Sequence, residues 1–423
     1  MNAPIPLMVA TAIADLLARP AGELPGPDGA SVRQHLAYGP TGIALLHIER
    51  AASGLGSWQR AHDWLDAATR SPFTTGADSH PFYGAPALAH AMACAADHAS
   101  GAYQGTLRLL DHQLAVDVRR RLDAAHRRID AGQLPQLAEF DTIRGLTGYG
   151  AYFLRRAPRG EETRAILDYC VRLTDPITHN GEVLPGWWTL TGPSGRPDTR
   201  FPDGHGNTGM AHGIGGVLAL LALAARSGTP VDYHHQALRT ILAWLDRWRE
   251  ETDRGPLWLY WVTRDELRTG LLAPSPPRRP SWCYGTAGIA RAQQLAAIAL
   301  GDTDRQLDAE DALVAALTDT AQLNATTDNG LCHGFAGLAH IAARTADDAH
   351  PATAGQLRAA IPALLALPCP PGADPDETAR TVVNDKDAGP GFLDGAAGIA
   401  LALMAPAAQA PPRTSWDACL LIA

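Results

Sequence analysis

The chain has 423 residues, 46% of them hydrophobic, and a formal net charge of −9. That is enough material for a large core or a long repeat array, and an acidic balance without a basic stripe argues against a nucleic-acid partner. Six irregularly spaced cysteines make no disulfide framework, and no apolar run reaches the ~18 residues a membrane span needs.

Residues 1–20 lack a positively charged start, and Asp15 interrupts their apolar stretch, so they do not read as a signal peptide. Beyond them a Gly-x-x-Gly followed by a small, apolar run recurs. Copies begin at Gly39, Gly145, Gly213, Gly285, Gly334 and Gly395; a degenerate copy begins at Gly84, with Ala87 in place of the second glycine. The seven first glycines are 45, 61, 68, 72, 49 and 61 residues apart, room for two helices and their connections in each unit. We expect each first glycine to let the chain turn into a helix without a Cβ penalty, and each second one to permit close backbone packing. The runs that follow, such as residues 217–221, are apolar on most sides and must be buried. Amphipathic stretches between them, such as residues 238–245, suit an outer layer. The sequence therefore predicts an all-α, single-domain chain over residues 1–423. Seven inner helices would lie inside seven outer ones as an α/α toroid. An open solenoid is the alternative. A closed ring is preferred because candidate metal ligands from two repeats must face one point.

Three long Gly/Pro-rich connections, residues 186–207, 271–280 and 374–390, enter the same ends of the buried helices and are expected to border one cleft. Residues 258–263 read as a short strand or hairpin. The basic run 118–121 reads as a solvated helix face, and Lys386 is the sole lysine.

The chemistry-bearing residues gather just before the paired glycines. Cys283 lies two residues before Gly285, and Cys332 lies two before Gly334 with His333 beside it. Equal offsets place the two cysteines at equivalent points of neighbouring units. Two thiolates and an imidazole suit zinc, and three protein ligands with an open fourth place is the catalytic pattern. No fourth protein ligand emerges from the same reasoning. Taken singly, each cysteine reads equally as a small buried hydrophobe. His212 precedes Gly213 as Tyr284 and His333 precede their own glycines. It is either the acid–base group or a satisfied histidine at a helix start. Asp141, four residues before Gly145, either orients His212 or caps a helix. Arg279 is a cation for a developing anion or a loop arginine; Tyr284 donates to substrate or packs beside the metal. His90, His205 and His340 read as structural, and the remaining cysteines as reduced.

Asn207-x-Gly209-x-Ala211-His212-Gly213, Trp282-Cys283-Tyr284-Gly285 and Cys332-His333-Gly334 resemble the signature motifs of the lanthionine synthetase C family. These are the zinc cyclases of class I lantibiotic and lanthipeptide biosynthesis. The resemblance covers nearly the whole chain, including Asp141-Thr142-Ile143-Arg144-Gly145, Leu184-Pro185-Gly186-Trp187 and Trp416-Asp417. It implies an α/α toroid with zinc near the top of the ring, held by Cys283, Cys332 and His333. His212, Asp141, Arg279 and Tyr284 match the other active-site positions. The second repeat departs from the pattern in its missing glycine, and the span between the first two repeats leaves little room for an inserted domain.

The implied reaction adds a cysteine thiol of a dehydrated precursor peptide to a dehydroalanine or dehydrobutyrine, forming lanthionine or methyllanthionine thioether rings. A free thiol, with pKa near ~8.5, is mostly protonated at neutral pH. Zinc would deprotonate it. Attack at the β-carbon leaves an enolate that needs a fixed donor and then a proton. The length leaves no room for a fused dehydratase, so a separate dehydratase partner is expected. The expected setting is cytoplasmic, peripheral to a membrane-associated synthetase complex. A zinc-dependent prenyltransferase β-like subunit is a second enzyme reading, which the adjacent Cys-His argues against. The non-cyclase alternative is a zinc protein that binds glutathione or a partner, or that adds an external thiol to dehydrated peptides.

Overall fold

Small apolar residues after each Gly-x-x-Gly do form buried helices, and the first six are each followed by an outer one. The computed structural model describes residues 4–20, 32–70, 72–99, 101–273, 278–408 and 410–423. A first helix, α1 (Ile5–Leu16), precedes the repeats. Inner and outer helices then alternate: Pro40–Ala52 and Trp58–Thr69 (α2, α3), Ala85–Ala96 and Gln104–Asp130 (α4, α5), Leu146–Arg156 and Glu161–Arg172 (α6, α7). Ile214–Arg226 and His234–Arg247 (α8, α9), Thr286–Leu300 and Thr303–Thr318 (α10, α11), Phe335–Asp348 and Pro351–Leu365 (α12, α13) continue the alternation. Pro375–Val383 (α14) leads to the last inner helix, Ala396–Ala408 (α15). In α8 every residue from Ile214 to Ala222 is buried, whereas α9 buries only His234 and the stripe of Ala237, Leu238, Ile241, Leu242, Trp244 and Leu245.

The ring is closed. Each inner helix packs on the next, and α15 packs on both α12 and α2. The seventh outer position is filled from the other end of the chain, because α15 and α14 both pack on α1. Residues 374–390, expected as a structureless connection, thus contain a helix that helps shut the ring. Residues 274–277 of the second expected connection lie outside the described residues. The first connection carries two short strands, Trp188–Thr189 (β3) and His205–Asn207 (β4), after a hairpin of Ile177–His179 (β1) and Glu182–Leu184 (β2). A second hairpin joins Arg249–Thr252 (β5) to Gly255–Trp258 (β6). Trp261–Thr263 (β7) pairs with β4, so the expected strand at 258–263 is present, split between two sheets.

The loops leading into the inner helices are stitched into a hoop. Leu36 N donates to Phe82 O (2.9 Å), Thr142 N to Ala211 O (3.0 Å) and Met210 N to Cys283 O (3.0 Å). Cys283 N donates to Cys332 O (3.2 Å), Leu331 N to Leu393 O (2.7 Å) and Phe392 N to Ala37 O (2.7 Å). The remaining link is a side chain: Nδ1 of His80 lies 3.0 Å from Ile143 O. Burial holds the His80 pKa down to about 3, which keeps the ring neutral. In every link the acceptor is the carbonyl two residues before the first glycine of its repeat.

The glycines serve mainly to make room. Of the first glycines, Gly84 and Gly285 have positive φ; Gly39, Gly145, Gly213 and Gly334 are extended. The second glycine meets its own leading loop. A Cβ on Gly42 would sit 2.0 Å from Leu36 O, and one on Gly337 2.1 Å from Leu331 O, six residues back in both cases. The first six inner helices have no side-chain N-caps; the amides of Gly148, Gly288, Gly337 and Gly398 donate to the carbonyl seven residues earlier.

The axis of the ring is filled by residues 413–422. Glu49 of α2 accepts from the amides of Arg413 and Thr414, and Nε2 of His90 of α4 reaches Trp416 O (3.0 Å). Trp282 Nε1 donates to Leu420 O (2.9 Å), and Arg291 Nε of α10 to Ile422 O (3.0 Å). Asp417 is buried against His340 (2.9 Å) and Arg344 (3.2 Å) of α12. Burial alone would raise its carboxyl pKa, but the bond from His340 and the Arg344 charge hold it below the ordinary range. The stability it contributes is therefore present above the unfolded pKa near ~4 and is lost as pH falls through the lowered folded value. Removing one partner of such a buried charge set costs roughly 3–5 kcal/mol. Thermal unfolding of Asp417→Ala should show that deficit near neutrality and converge with wild type in acid.

Candidate active site at the mouth of the ring

The hoop brings together residues far apart in the chain. The residue before the first glycine is Tyr38, Tyr83, Arg144, His212, Tyr284, His333 and Asp394 in the seven repeats. Because the hoop joins the loops at one end of the inner helices, these side chains ring a common mouth. The helix N-termini there add partial positive charge that favours anions.

On one side stand His212 and Asp141. Nδ1 of His212 lies 2.6 Å from Oδ2 of buried Asp141. The other oxygen, Oδ1, accepts from the amides of Arg144 (2.6 Å) and Gly145 (2.8 Å). Asp141 thus divides its oxygens, one to the turn into α6 and the other to His212. With its Nδ1–H on Asp141, the ring presents Nε2 for proton exchange.

Tyr284 stands between this pair and the cysteines, its ring 6.4 Å from that of His212. Its oxygen accepts from Asn207 Nδ2 (3.1 Å), which leaves its own proton free to donate elsewhere. Burial, followed by the nearby Cys283, Asp141 and Cys332, raises its pKa well above the ordinary phenol value, so it stays protonated. Asn207 is itself fixed by β4, which pairs with β7, and by its Oδ1 accepting from Gly209 N (3.0 Å). Its positioning role is invisible without that sheet.

Cys283 and Cys332 are neighbours because Cys283 N donates to Cys332 O across the hoop. Their thiols share a hydrogen bond. That bond, against the effect of burial, and with Ser281, His333 and Arg279 nearby, lowers the Cys283 thiol to about 6. The same bond and burial hold the Cys332 proton well above the usual cysteine range. Side by side, the two sulfurs are soft donors suited to a thiophilic cation.

His333 is oriented as His212 is. Its Nδ1 lies 2.6 Å from Asp328 Oδ2, and Asp328 Oδ1 accepts from Gly330 N (3.0 Å). The bond to Asp328 raises the His333 pKa, and burial opposes it. An imidazole held by a carboxylate at Nδ1 offers Nε2 to a metal. Among the described residues, the donor atoms of Cys332, His333 and Asp394 lie within 4.8 Å of one another, a group that can hold a metal ion. Burial raises the Asp394 pKa, and its Oδ1 is buried without a hydrogen-bond partner. The Cys332 sulfur with Cys283 beside it, an oriented imidazole and an orphaned carboxylate oxygen together fit a thiophilic divalent ion. Arg279 places its charge near Cys283, Cys332, His333, Asp328 and Asp394. Its backbone is anchored by Tyr260, whose hydroxyl donates to Arg279 O (2.9 Å).

Of the expected metal ligands, Cys332 and His333 are grouped with Asp394, whereas Cys283 joins Cys332 through the backbone and is not part of that donor group; His212 pairs with Asp141. His90 and His340 lie along the axis, and buried His205 lies in β4. Asp328, Asp394 and Asn207 were not selected as site residues. Asp394 had a signal, the same offset before its glycine as His212 and His333; Asp328 had none. A cavity of about 520 Å³ lies away from this mouth, beside His340, Arg344 and Arg358. The chemistry is in the open mouth instead. No helix among the described residues is long and apolar enough to cross a membrane.

The sequence pattern of lanthionine synthetase C-like proteins matches residues 30–421. The nisin biosynthesis protein NisC of Lactococcus lactis subsp. lactis is 28% identical over 207 residues, 48% of this chain and 48% of that protein. The match thus spans about half the length of that curated relative. The solved structure of a nisin cyclase superposes with a TM-score of 0.75 at 21% identity, covering 98% of this chain and 96% of that one. With a family match over almost its whole length, a seven-repeat ring of the same fold and the signature residues gathered at its mouth, the chain belongs to the lanthionine synthetase C-like family.

Proposed function

We propose that the chain is a stand-alone lanthipeptide cyclase that closes thioether rings in a dehydrated precursor peptide, with zinc held by Cys283, Cys332 and His333. The carrying observation is the meeting, in one mouth, of Cys283 and Cys332, joined across the hoop, beside an Asp328-held His333 with an Asp141-held His212. When bound, zinc supplies the Lewis acid that keeps an incoming thiol deprotonated and nucleophilic at neutral pH. Two protein thiolates neutralise the 2+ charge, so a further thiolate there remains electron-rich.

Arg279 and the free Tyr284 hydroxyl face the negative charge that develops on the carbonyl after attack at the β-carbon. His212, with Nδ1 pinned by Asp141, delivers the proton to the α-carbon through Nε2. The peptide comes from a separate dehydratase, and the setting is cytoplasmic.

The reaction conserves mass, so the test counts thiols. A dehydrated cysteine-containing peptide should take up one alkylating tag per cysteine before treatment and fewer afterwards. A chelator should abolish the loss, and a no-enzyme control sets the spontaneous baseline. Equal tag loss without enzyme, or failure on several dehydrated peptides, rejects the cyclase reading. Added mass from glutathione would instead identify an intermolecular thiol-adding enzyme.

A further inference from the structure

We propose that Arg144 and Tyr38 anchor the peptide substrate, Arg144 gripping a carboxylate beside the dehydrated residue and Tyr38 packing against the same stretch of chain. The identity of the ligand rests on the cyclase reading above; the anchoring is tested by binding alone.

Of the seven side chains that ring the mouth, the chemistry takes His212, Tyr284 and His333, and Asp394 stands with the metal group. Tyr38, Tyr83 and Arg144 remain. They are consecutive around the hoop, on the arc facing the two cysteines, and Arg144 is next to His212.

The arc is firmly built. Phe392 N donates to Ala37 O (2.7 Å), and Gly391 lets these loops touch, since a Cβ on it would lie 2.7 Å from Tyr38 Cα. Tyr83 N donates to His80 O (2.7 Å), and His80 N donates to Tyr83 O (3.1 Å). The His35 ring is the hub. Its centroid lies 4.9 Å from that of Tyr38, 5.7 Å from that of His80 and 5.6 Å from that of Tyr83. Burial, with the Arg144 charge behind it, lowers the His35 pKa to about 4, so with His80 also neutral the cluster carries no charge at neutral pH.

Arg144 is exposed beside this neutral floor, and its charge acts on His35, His80 and Tyr38. Among the described residues its guanidinium forms no ion pair. The neighbouring carboxylate, Asp141, is committed to two amides and to His212. Tyr38 is 49% exposed, an amphipathic ring left for a partner to cover. An uncommitted guanidinium beside neutral rings suits a peptide carboxylate, which its fork takes in two hydrogen bonds. A peptide held there has its dehydrated residue beside His212 while its cysteine reaches across to the metal side. Attachment at two points brings the reacting ends together.

The test uses the zinc-loaded full chain and two dehydrated peptides that differ only in Glu or Gln next to the dehydrated residue. Copies with alanine for cysteine cannot react and report binding by fluorescence anisotropy. Wild type should bind the Glu peptide ~10-fold more tightly. Arg144→Gln should bind both equally, with zinc content and circular dichroism as in wild type. Arg159→Gln, exposed beyond the far end of α6, changes net charge by the same amount and should keep the preference. Tyr38→Ala should weaken both peptides roughly 3- to 10-fold. Equal binding by wild type, or a preference that survives Arg144→Gln or vanishes in Arg159→Gln, overturns the role of Arg144. Unchanged affinities in Tyr38→Ala remove Tyr38 from the anchor. The reactive peptides, scored by thiol tagging, separate the two levels. If wild type closes no ring while the binding pattern holds, the cyclase reading fails and the anchor stands; if rings close without that pattern, only the anchor fails.

Discussion

Replacing His212 with alanine is expected to slow thioether formation by ~100- to 10,000-fold while leaving zinc content and circular dichroism as in wild type. The expectation follows from the pairing with Asp141. One carboxylate oxygen is committed to the amides of Arg144 and Gly145, so the other is rigidly placed to fix His212. Fixing Nδ1 leaves Nε2 as the atom that exchanges protons with the substrate. Asp141→Asn tests the same link more gently. Its amide oxygen can keep the bonds to Arg144 and Gly145, but its NH2 cannot accept the imidazole proton. A loss on the order of 10- to 100-fold is expected, the range typical of groups that orient a functional histidine. Unchanged turnover in His212→Ala would remove His212 from the mechanism, and loss of zinc with it would make the residue a structural support.

Cys332→Ala should lower zinc affinity by roughly 100- to 1,000-fold, one ligand's share of the ~10–16 kcal/mol typical of a complete structural site. Two effects act together. A sulfur donor disappears, and Cys283 loses the hydrogen bond that is the chief cause of its lowered pKa. The wild-type pair also sets a pH dependence. Cys283 is already largely ionised above about 6, whereas Cys332 holds its proton well above the usual range. Metal uptake near neutrality must therefore expel the Cys332 proton, and also that of any protonated His333, so affinity should rise at least ~10-fold per pH unit there. Chelator competition across pH measures both effects. Full zinc content in Cys332→Ala would refute the ligand assignment.

Much of this protein is legible in one dimension. The Gly-x-x-Gly spacing marks all seven inner helices because a helix buried on every side needs a long apolar run, and such a run is a local property of the chain. The equal offsets of Cys283 and Cys332, with His212 and His333 one residue later in their repeats, follow from the same periodicity. What the repeat does not carry is contact between repeats. The hoop of hydrogen bonds, and with it the adjacency of Cys283 to Cys332 and of Asp394 to His333, depends on the ring closing. Closure is made by α1 against α15, elements almost the whole chain apart. Residues 413–422, of which the sequence singled out only Trp416 and Asp417, fill the axis because Glu49, His90, Arg291 and His340 each turn a buried polar group toward them. The reason for the glycines was also hidden: most first glycines are extended, and what they avoid is a collision with backbone that only the folded loops bring near. Periodicity in the sequence determines which segments must be buried. Which polar group meets which across the mouth is decided by backbone pairing over long separations, and that exists only once the ring has closed.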